Sequence, residues 1–191
     1  MTSAAIPLNL DSFLASIERR AYRMALLATG NHSDALDLVQ DTMLKLSQNY
    51  GDADAASWPP LFQRILQNRI LDWHRQQQRR RRLFVFTRPL DEDAEAEAES
   101  QLEQLPEPRD HNPAQLLELA RDTEAALGAI GRLPLRQQQA FLLRAWEGLD
   151  VRATAAAMEC SEGAVKSHYF RALHNLRQWL QTPAEPKEVS L

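Results

Sequence analysis

Between Ser161 and Arg177 the chain reads SEGAVKSHYFRALHNLR, where two kinds of residue interleave at helical spacing. Val165, Tyr169, Ala172, Leu173, Leu176 and, just beyond, Leu180 make an apolar stripe. Lys166, Phe170, His174 and Arg177 fall on another side, with Ser167 and Arg171 beside them. A large aromatic among cations, away from a buried stripe, suits a surface that meets bases and phosphates. The preceding DVRATAAAMEC predicts a short helix and a tight turn, so from Asp150 onward the chain has the pattern of a helix-turn-helix DNA reader. Asp150 and Ser161 are suited to cap the two helices, and Glu162 complements the positive end of the second. An ordinary helical hairpin whose polar face is merely wet carries the same pattern, so the remaining residues have to decide.

A second set lies upstream. Arg64, Asn68, Asp72, Arg75 and Arg79 recur at spacings of four, four, three and four and run into the arginines 79–82. Four consecutive arginines point all round a helix. They repel one another unless something anionic is near, and nucleic-acid phosphate is the usual candidate. A third set, Asp34, Asp37 and Asp41 with Lys45, lines the outer side of a helix predicted over 33–48; by itself it reads as solvated acid near a helix N-terminus. Enzyme chemistry is not suggested. There is no Gly-rich phosphate loop, no metal-ligand cluster, and no nucleophile with a plausible base. His32, His74, His111, His168 and His174 are scattered, and the single Cys160 rules out an internal disulfide, its place in the hairpin turn suiting a small buried residue. No catalytic residue, metal or cofactor is expected.

The elements that must position these residues are helices. At 191 residues and 44% hydrophobic content, with few Gly and no alternating runs, the chain predicts an all-α fold of two small domains. Residues 10–29 place Phe13, Ile17, Ala21, Met24 and Leu27/Ala28 on one face, with Gly30-Asn31 closing the helix. The helix over 33–48 takes Ser33 as its cap and turns Leu36, Val39, Met43 and Leu46 inward. After the loop GDADAASWPP, a third helix runs from about Pro60 to Arg80 on Phe62, Ile65/Leu66, Ile70 and Trp73. In the second half Leu116/Leu117, Ala120, Thr123/Glu124, Leu127 and Ile130 share one face of a helix that ends near Gly131, and Pro134 starts another that Gly148 terminates.

The net charge of −4 is unevenly spread. Residues 1–88 hold 12 Lys+Arg against 8 Asp+Glu, 89–113 hold one against 9, and 114–191 hold 9 of each. The acidity is confined to the Pro-punctuated stretch 84–113, expected to be a flexible linker with at most a few helical turns in 91–104. Such a linker could cover the basic surfaces when DNA is absent. Boundaries follow: 1–83, linker 84–113, 114–182, and tail 183–191. No apolar run approaches the ~18 residues of a membrane span and the N-terminus lacks a signal-peptide pattern, so a cytoplasmic protein without membrane insertion is expected.

Four stretches now carry a resemblance: DALDLVQDTMLKL (34–46), LFQRILQNRILDWHR (61–75), LPLRQQQAFLLRAWEGL (133–149) and SEGAVKSHYFRA (161–172). Together they resemble the extracytoplasmic-function (ECF) group of bacterial RNA polymerase sigma factors, over about residues 10–82 and 114–180. The resemblance implies that Asp34, Asp37, Gln40 and Asp41 dock on the clamp helices of the largest subunit of core RNA polymerase. It implies that the second domain meets the flap of the second-largest subunit. By the same likeness Asn49, Tyr50, Trp58, Arg64, Asn68, Asp72, Arg75, Arg79 and Arg80 melt the minus-ten element of promoter DNA and hold its non-template strand. Lys166, Ser167, His168, Phe170 and Arg171 then read the minus-thirty-five element. The family often has Gly in the hairpin turn where this chain has Glu159, so the turn must bear a strained backbone or change shape. Whether an anti-sigma factor binds is left open. Two other classes stay in view: a stand-alone helix-turn-helix regulator, and an inhibitor or decoy of a polymerase subunit.

Overall fold

The computed structural model describes residues 9–84 and 123–181, with side chains described for 9–80 and 125–180. Several expectations lie outside these residues: the acidic linker and its helical turns, the first half of the helix ending at Gly131, the side chains of Arg81 and Arg82, and the tail. Among the described residues every regular element is helical.

Helix α1 (Leu10–Thr29) opens on a capping box between Asn9 and Ser12, with Asp11 in its first turn. It closes at Gly30, which takes the left-handed conformation (φ 65°) and donates its N–H to Leu26 at 2.8 Å. Helix α2 (His32–Tyr50) begins one residue earlier than the sequence suggests. Asn31 rather than Ser33 is its cap, accepting from the N–H groups of Ser33 and Asp34. This cap fixes the phase of α2. Ala35, Leu38, Val39, Thr42 and Leu46 turn inward, while Leu36, expected inside, is 48% exposed and Met43 only half-buried. A single 3-10 turn (Ala55–Ser57) leads into α3 (Trp58–Phe84), which starts two residues before the expected Pro60. Pro59 and Pro60 sit in its first turn, where the missing N–H groups would have had no helical partner.

The core of the first module is built by Phe13, Ile17 and Met24 from α1, Leu38, Val39 and Leu46 from α2, and Phe62, Leu66 and Ile70 from α3. Phe13 meets Phe62 edge-on at 6.1 Å between ring centroids and Trp58 at 6.0 Å. Edge-on aromatic pairs add about 0.5–1.5 kcal/mol beyond their burial.

The second module is α4 (Thr123–Gly131), α5 (Leu135–Phe141) with a π-helical turn over Leu142–Trp146, α6 (Val151–Met158) and α7 (Glu162–Gln181). In α4 the buried residues are Ala126, Ala129 and Ile130, and Leu127, expected inside, is exposed. The π turn, where Glu147 donates to Leu142 five residues back, was not legible in the sequence. Gly148 (φ 69°) ends it as expected. Asp150 caps α6 by accepting from the N–H of Ala153 at 2.7 Å, and Ser161 caps α7 by accepting from Ala164 at 3.1 Å. Ala140, Leu143, Ala155, Ala157, Met158 and Val165 seal the hairpin, with Cys160 half-buried against them. The small alanines of α6 give it a thin core, and they also let it lie close to α3.

The two modules are packed together. Ala129, Ile130, Leu133, Phe141, Leu142, Ala172, Leu173 and Leu176 belong to the same apolar cluster as the first module's core, with α4 against α1 and α6 against α3.

Candidate nucleic-acid and partner-binding surfaces

The acids of α2 and the arginines of α3 share one groove. A cavity of about 560 Å³ between the two helices is lined by Asp34, Asp37, Asp41, Asp72, Arg75, Arg79 and Arg80 around Leu38, Arg69, Trp73, Gln76 and Gln77. Asp37, Gln40 and Asp41 are exposed and Asp34 half-buried. Asp41 is paired with Arg69 at 3.7 Å and Asp72 with Arg75 at 3.6 Å, both exposed pairs worth a fraction of a kcal/mol. Such pairs are easily exchanged for a partner's charges. Leu36 and Leu44 are exposed on the same helix, so its outer side offers apolar contact beside the acids.

Other members of the expected minus-ten set lie elsewhere. Asn49 is exposed and Tyr50 half-buried at the C-terminal end of α2. Trp58 departs from the expected surface set. It is 6% exposed, its ring lies against Phe13, and its indole N–H donates to the carbonyl of Tyr50 at 3.1 Å. In this arrangement it anchors the loop between α2 and α3, because the loop is short enough to fold its one large aromatic inward. Trp73 is half-buried against the core, as its spacing suggested. Arg64 and Asn68 are half-buried on α3, and the Asn68 amide reaches the second module, donating to the Glu159 carboxylate at 2.9 Å.

On the hairpin, Lys166, His174 and Arg177 are exposed, and Ser167, His168, Phe170 and Arg171 half-buried, along one side of α7. Val165, Ala172, Leu173 and Leu176 fix that side by packing the opposite stripe into the core. Three contacts that the sequence did not disclose hold the helix in place. Tyr169 stacks on Phe141 with centroids 6.4 Å apart, and the Arg144 guanidinium lies 5.6 Å above the Tyr169 ring. Asn175 donates to Gln137 at 2.9 Å. Arg136 donates to the carbonyl of Met158 at 3.0 Å, tying the end of α6 to α5. The turn itself carries the strain foreseen from the sequence: Glu159 is left-handed at φ 53°, ψ 49°. For a residue other than Gly this costs about 1–2 kcal/mol.

Beside its apolar contacts, the seam between modules carries polar ones. Gln138 donates to the carbonyls of Leu27 and Ile130, and Gln139 to that of Gln67. Nothing local in the run RQQQ (136–139) marks its last two members as buried, and only the tertiary partner reveals it. Glu147 is also there, its side chain 7% exposed, with Arg20 4.0 Å away. Burial pushes its carboxyl above the ordinary value of 4.5, opposed first by Arg20 and then by the Gln63 amide. Gln63 faces Glu147 without reaching hydrogen-bond geometry within the described residues. A raised carboxyl pKa contributes stability that is complete below the ordinary value and is lost as pH rises through the raised one. At neutral pH the charged Glu147 is therefore a burden. E147Q is expected to raise the melting temperature at pH 7, by about 2–4 °C for each kcal/mol gained in a chain of this size, with the advantage shrinking toward pH 4.5. A differential scanning calorimetry series from pH 4.5 to 8 measures this.

Among the described residues no cluster of three His, Cys, Asp or Glu is placed to hold a metal, and no helix is long and apolar enough to cross a membrane.

Comparison with known proteins gives these surfaces a family. The family described as Sigma-70 region 2 matches residues 11–80, and that described as Sigma-70, region 4 matches 123–176. The ECF RNA polymerase sigma factor SigE of Mycolicibacterium smegmatis is 32% identical over 189 residues, covering 93% of this chain and 63% of that protein. The RNA polymerase sigma-E factor of Streptomyces antibioticus is 32% identical over 150 residues, covering 78% of this chain and 72% of that protein. A co-crystal structure of the sigma factor RpoE with the anti-sigma factor NepR from Bartonella quintana has the same fold, with a TM-score of 0.61 at 22% identity over 90% of this chain and 96% of that one. The chain belongs to the sigma-70 family of RNA polymerase sigma factors, in its ECF group.

Proposed function

We propose that this chain is a cytoplasmic transcription initiation factor that joins core RNA polymerase and directs it to specific promoters. The observation that carries the proposal is the presence, in order on one chain, of both sigma-70 regions, each with an accessible face of suitable chemistry. Domain bounds of 1–83 and 114–182, joined by an acidic linker over 84–113 and followed by a tail over 183–191, accommodate both matches. Asp34, Asp37, Gln40 and Asp41, with the exposed Leu36 and Leu44 beside them, form the docking face for the clamp helices of the largest subunit. The second module meets the flap of the second-largest subunit. An anti-sigma factor, the partner present in the RpoE structure, is a further partner that a sigma factor of this group admits.

In promoter DNA the first module opens the minus-ten element. Extracting a base costs a few kcal/mol, which pocket contacts and stacking return while cations hold the strand. Asn49, Tyr50, Arg64, Asn68, Asp72, Arg75, Arg79 and Arg80 supply those contacts, and Trp58 shapes the loop that carries them. Lys166, Ser167, His168, Phe170 and Arg171 read the minus-thirty-five element in the major groove. The second half of the chain has no net positive charge, so its hold on DNA alone is weak. It becomes effective when the polymerase fixes both modules at the correct separation, which raises the effective concentration of each.

Core pulldown together with run-off transcription tests the proposal. Promoter-specific transcripts from core plus this chain are expected. Core binding without transcription would identify an inhibitor, and core-independent binding to DNA would identify a stand-alone regulator.

A further inference from the structure

The left-handed Glu159 stands where Gly would be unstrained, and its carboxylate accepts from the amide of Asn68, 91 residues upstream. We propose that Glu159 is an intramolecular latch: it seats the turn of the reading hairpin on Asn68, so that the free chain holds its two modules closed and withholds Asn68 from a nucleic-acid strand until they part. The masking half of this proposal rests on the placement of Asn68 in the minus-ten set. The closure itself rests on geometry alone.

Three observations support the latch. The acceptor on Asn68 is an anionic oxygen, the same chemistry that a phosphate would offer to the amide, so the hairpin occupies the residue as DNA would. The contact is not isolated, since Gln139 bonds to the carbonyl of Gln67, the neighbour of Asn68, and Gln138 bonds to Leu27. Polar groups are also set into the seam beside its apolar contacts. Both polar atoms of the Gln63 side chain, Oε1 of Gln67 and Oε1 of Glu147 are buried there without hydrogen-bond partners among the described residues. Buried polar groups cost more to hide than apolar ones and regain water when the modules separate, so they offset part of what the shared apolar cluster contributes to closure. The Glu159–Asn68 hydrogen bond adds to the closed side of that balance.

The test uses the full chain with Cys160 replaced (C160S) and dyes at K45C and R177C, both exposed positions, one on each module. Energy transfer reports separation, and anisotropy of a fluorescein-labelled 20-nucleotide single strand reports access to the first module. E159G removes the carboxylate and relieves the backbone. E159N keeps an amide but is one methylene shorter, and E159Q keeps an acceptor oxygen at the original reach without the charge. The latch predicts that E159G and E159N shift molecules to longer separations and bind the strand at least threefold more tightly, while E159Q stays near the parent in both. Adding N68A to E159G removes the gain in affinity. Circular dichroism melts confirm that all variants fold. Equal separations in E159G, E159N, E159Q and the parent would overturn the latch. Equal tightening in all three variants would also overturn it, because loss of a negative charge would then be sufficient. Opening without tighter strand binding would overturn the masking. Run-off transcription with core polymerase reports separately whether the sigma-factor assignment has failed with it.

Discussion

Replacing Asp37 with arginine will weaken binding to core RNA polymerase at least tenfold while leaving helical content and melting temperature unchanged. Asp37 is exposed in the second turn of α2, beyond the first turn, so the fold gains little from its charge. Substitutions at such positions usually stay within about 0.5 kcal/mol. At a docked interface the situation differs. A carboxylate facing a partner's cations becomes an arginine facing them, and like charges brought together in a partly desolvated contact cost several kcal/mol. Asp41 would be a less decisive test, because it already shares Arg69 and its reversal would disturb that pair. Titration of labelled chain with core enzyme measures the effect. An unchanged affinity would mean that the acidic side of α2 is not the docking face.

The second large effect is on stability. F62A is expected to cost about 3–5 kcal/mol, the usual range for removing a buried phenyl ring. Phe62 is fully buried, touches Phe13 edge-on and belongs to the same helix as the arginines, fixing it to the core. Against a total stability of about 5–15 kcal/mol the loss is severe, and in a chain of this size it lowers the melting temperature by roughly 10 °C. Because the apolar cluster runs through both modules, the hairpin should lose stability along with the first module. A circular dichroism melt, with Tyr169 or Trp179 fluorescence for the second module, checks both points. A drop under about 2 °C would contradict the shared core.

The helices and their phase were largely legible in the residues, because spacing and caps are local. Asp150, Ser161 and Gly30 end or begin helices as their chemistry dictates, and the stripe from Val165 to Leu176 is buried as its period requires. Leu36 and Leu127 show the limit. An apolar residue at helical spacing can lie on either edge of a stripe, and which edge is buried depends on the partner helix. Trp58 shows it again, since nothing local distinguishes a loop aromatic turned inward from one presented to DNA. The glutamines at 138 and 139 and the buried Glu147 were not legible at all. Amide and carboxylate side chains give no local signal of burial, and theirs exists only where the two modules, expected to be separated by a linker, meet. The strain at Glu159 was foreseeable from the turn, but its partner Asn68 was not, because their contact is tertiary.

On the proposed function this one chain gives core polymerase its promoter choice. In-vitro transcription of genomic DNA by core enzyme plus the chain, with start sites mapped, tests it most directly. The expected result is a limited set of starts absent with core alone, sharing two upstream elements at a fixed separation, with R171A reducing use of the distal element. Starts no different from those of core alone, under conditions where the chain is bound to core, would contradict it.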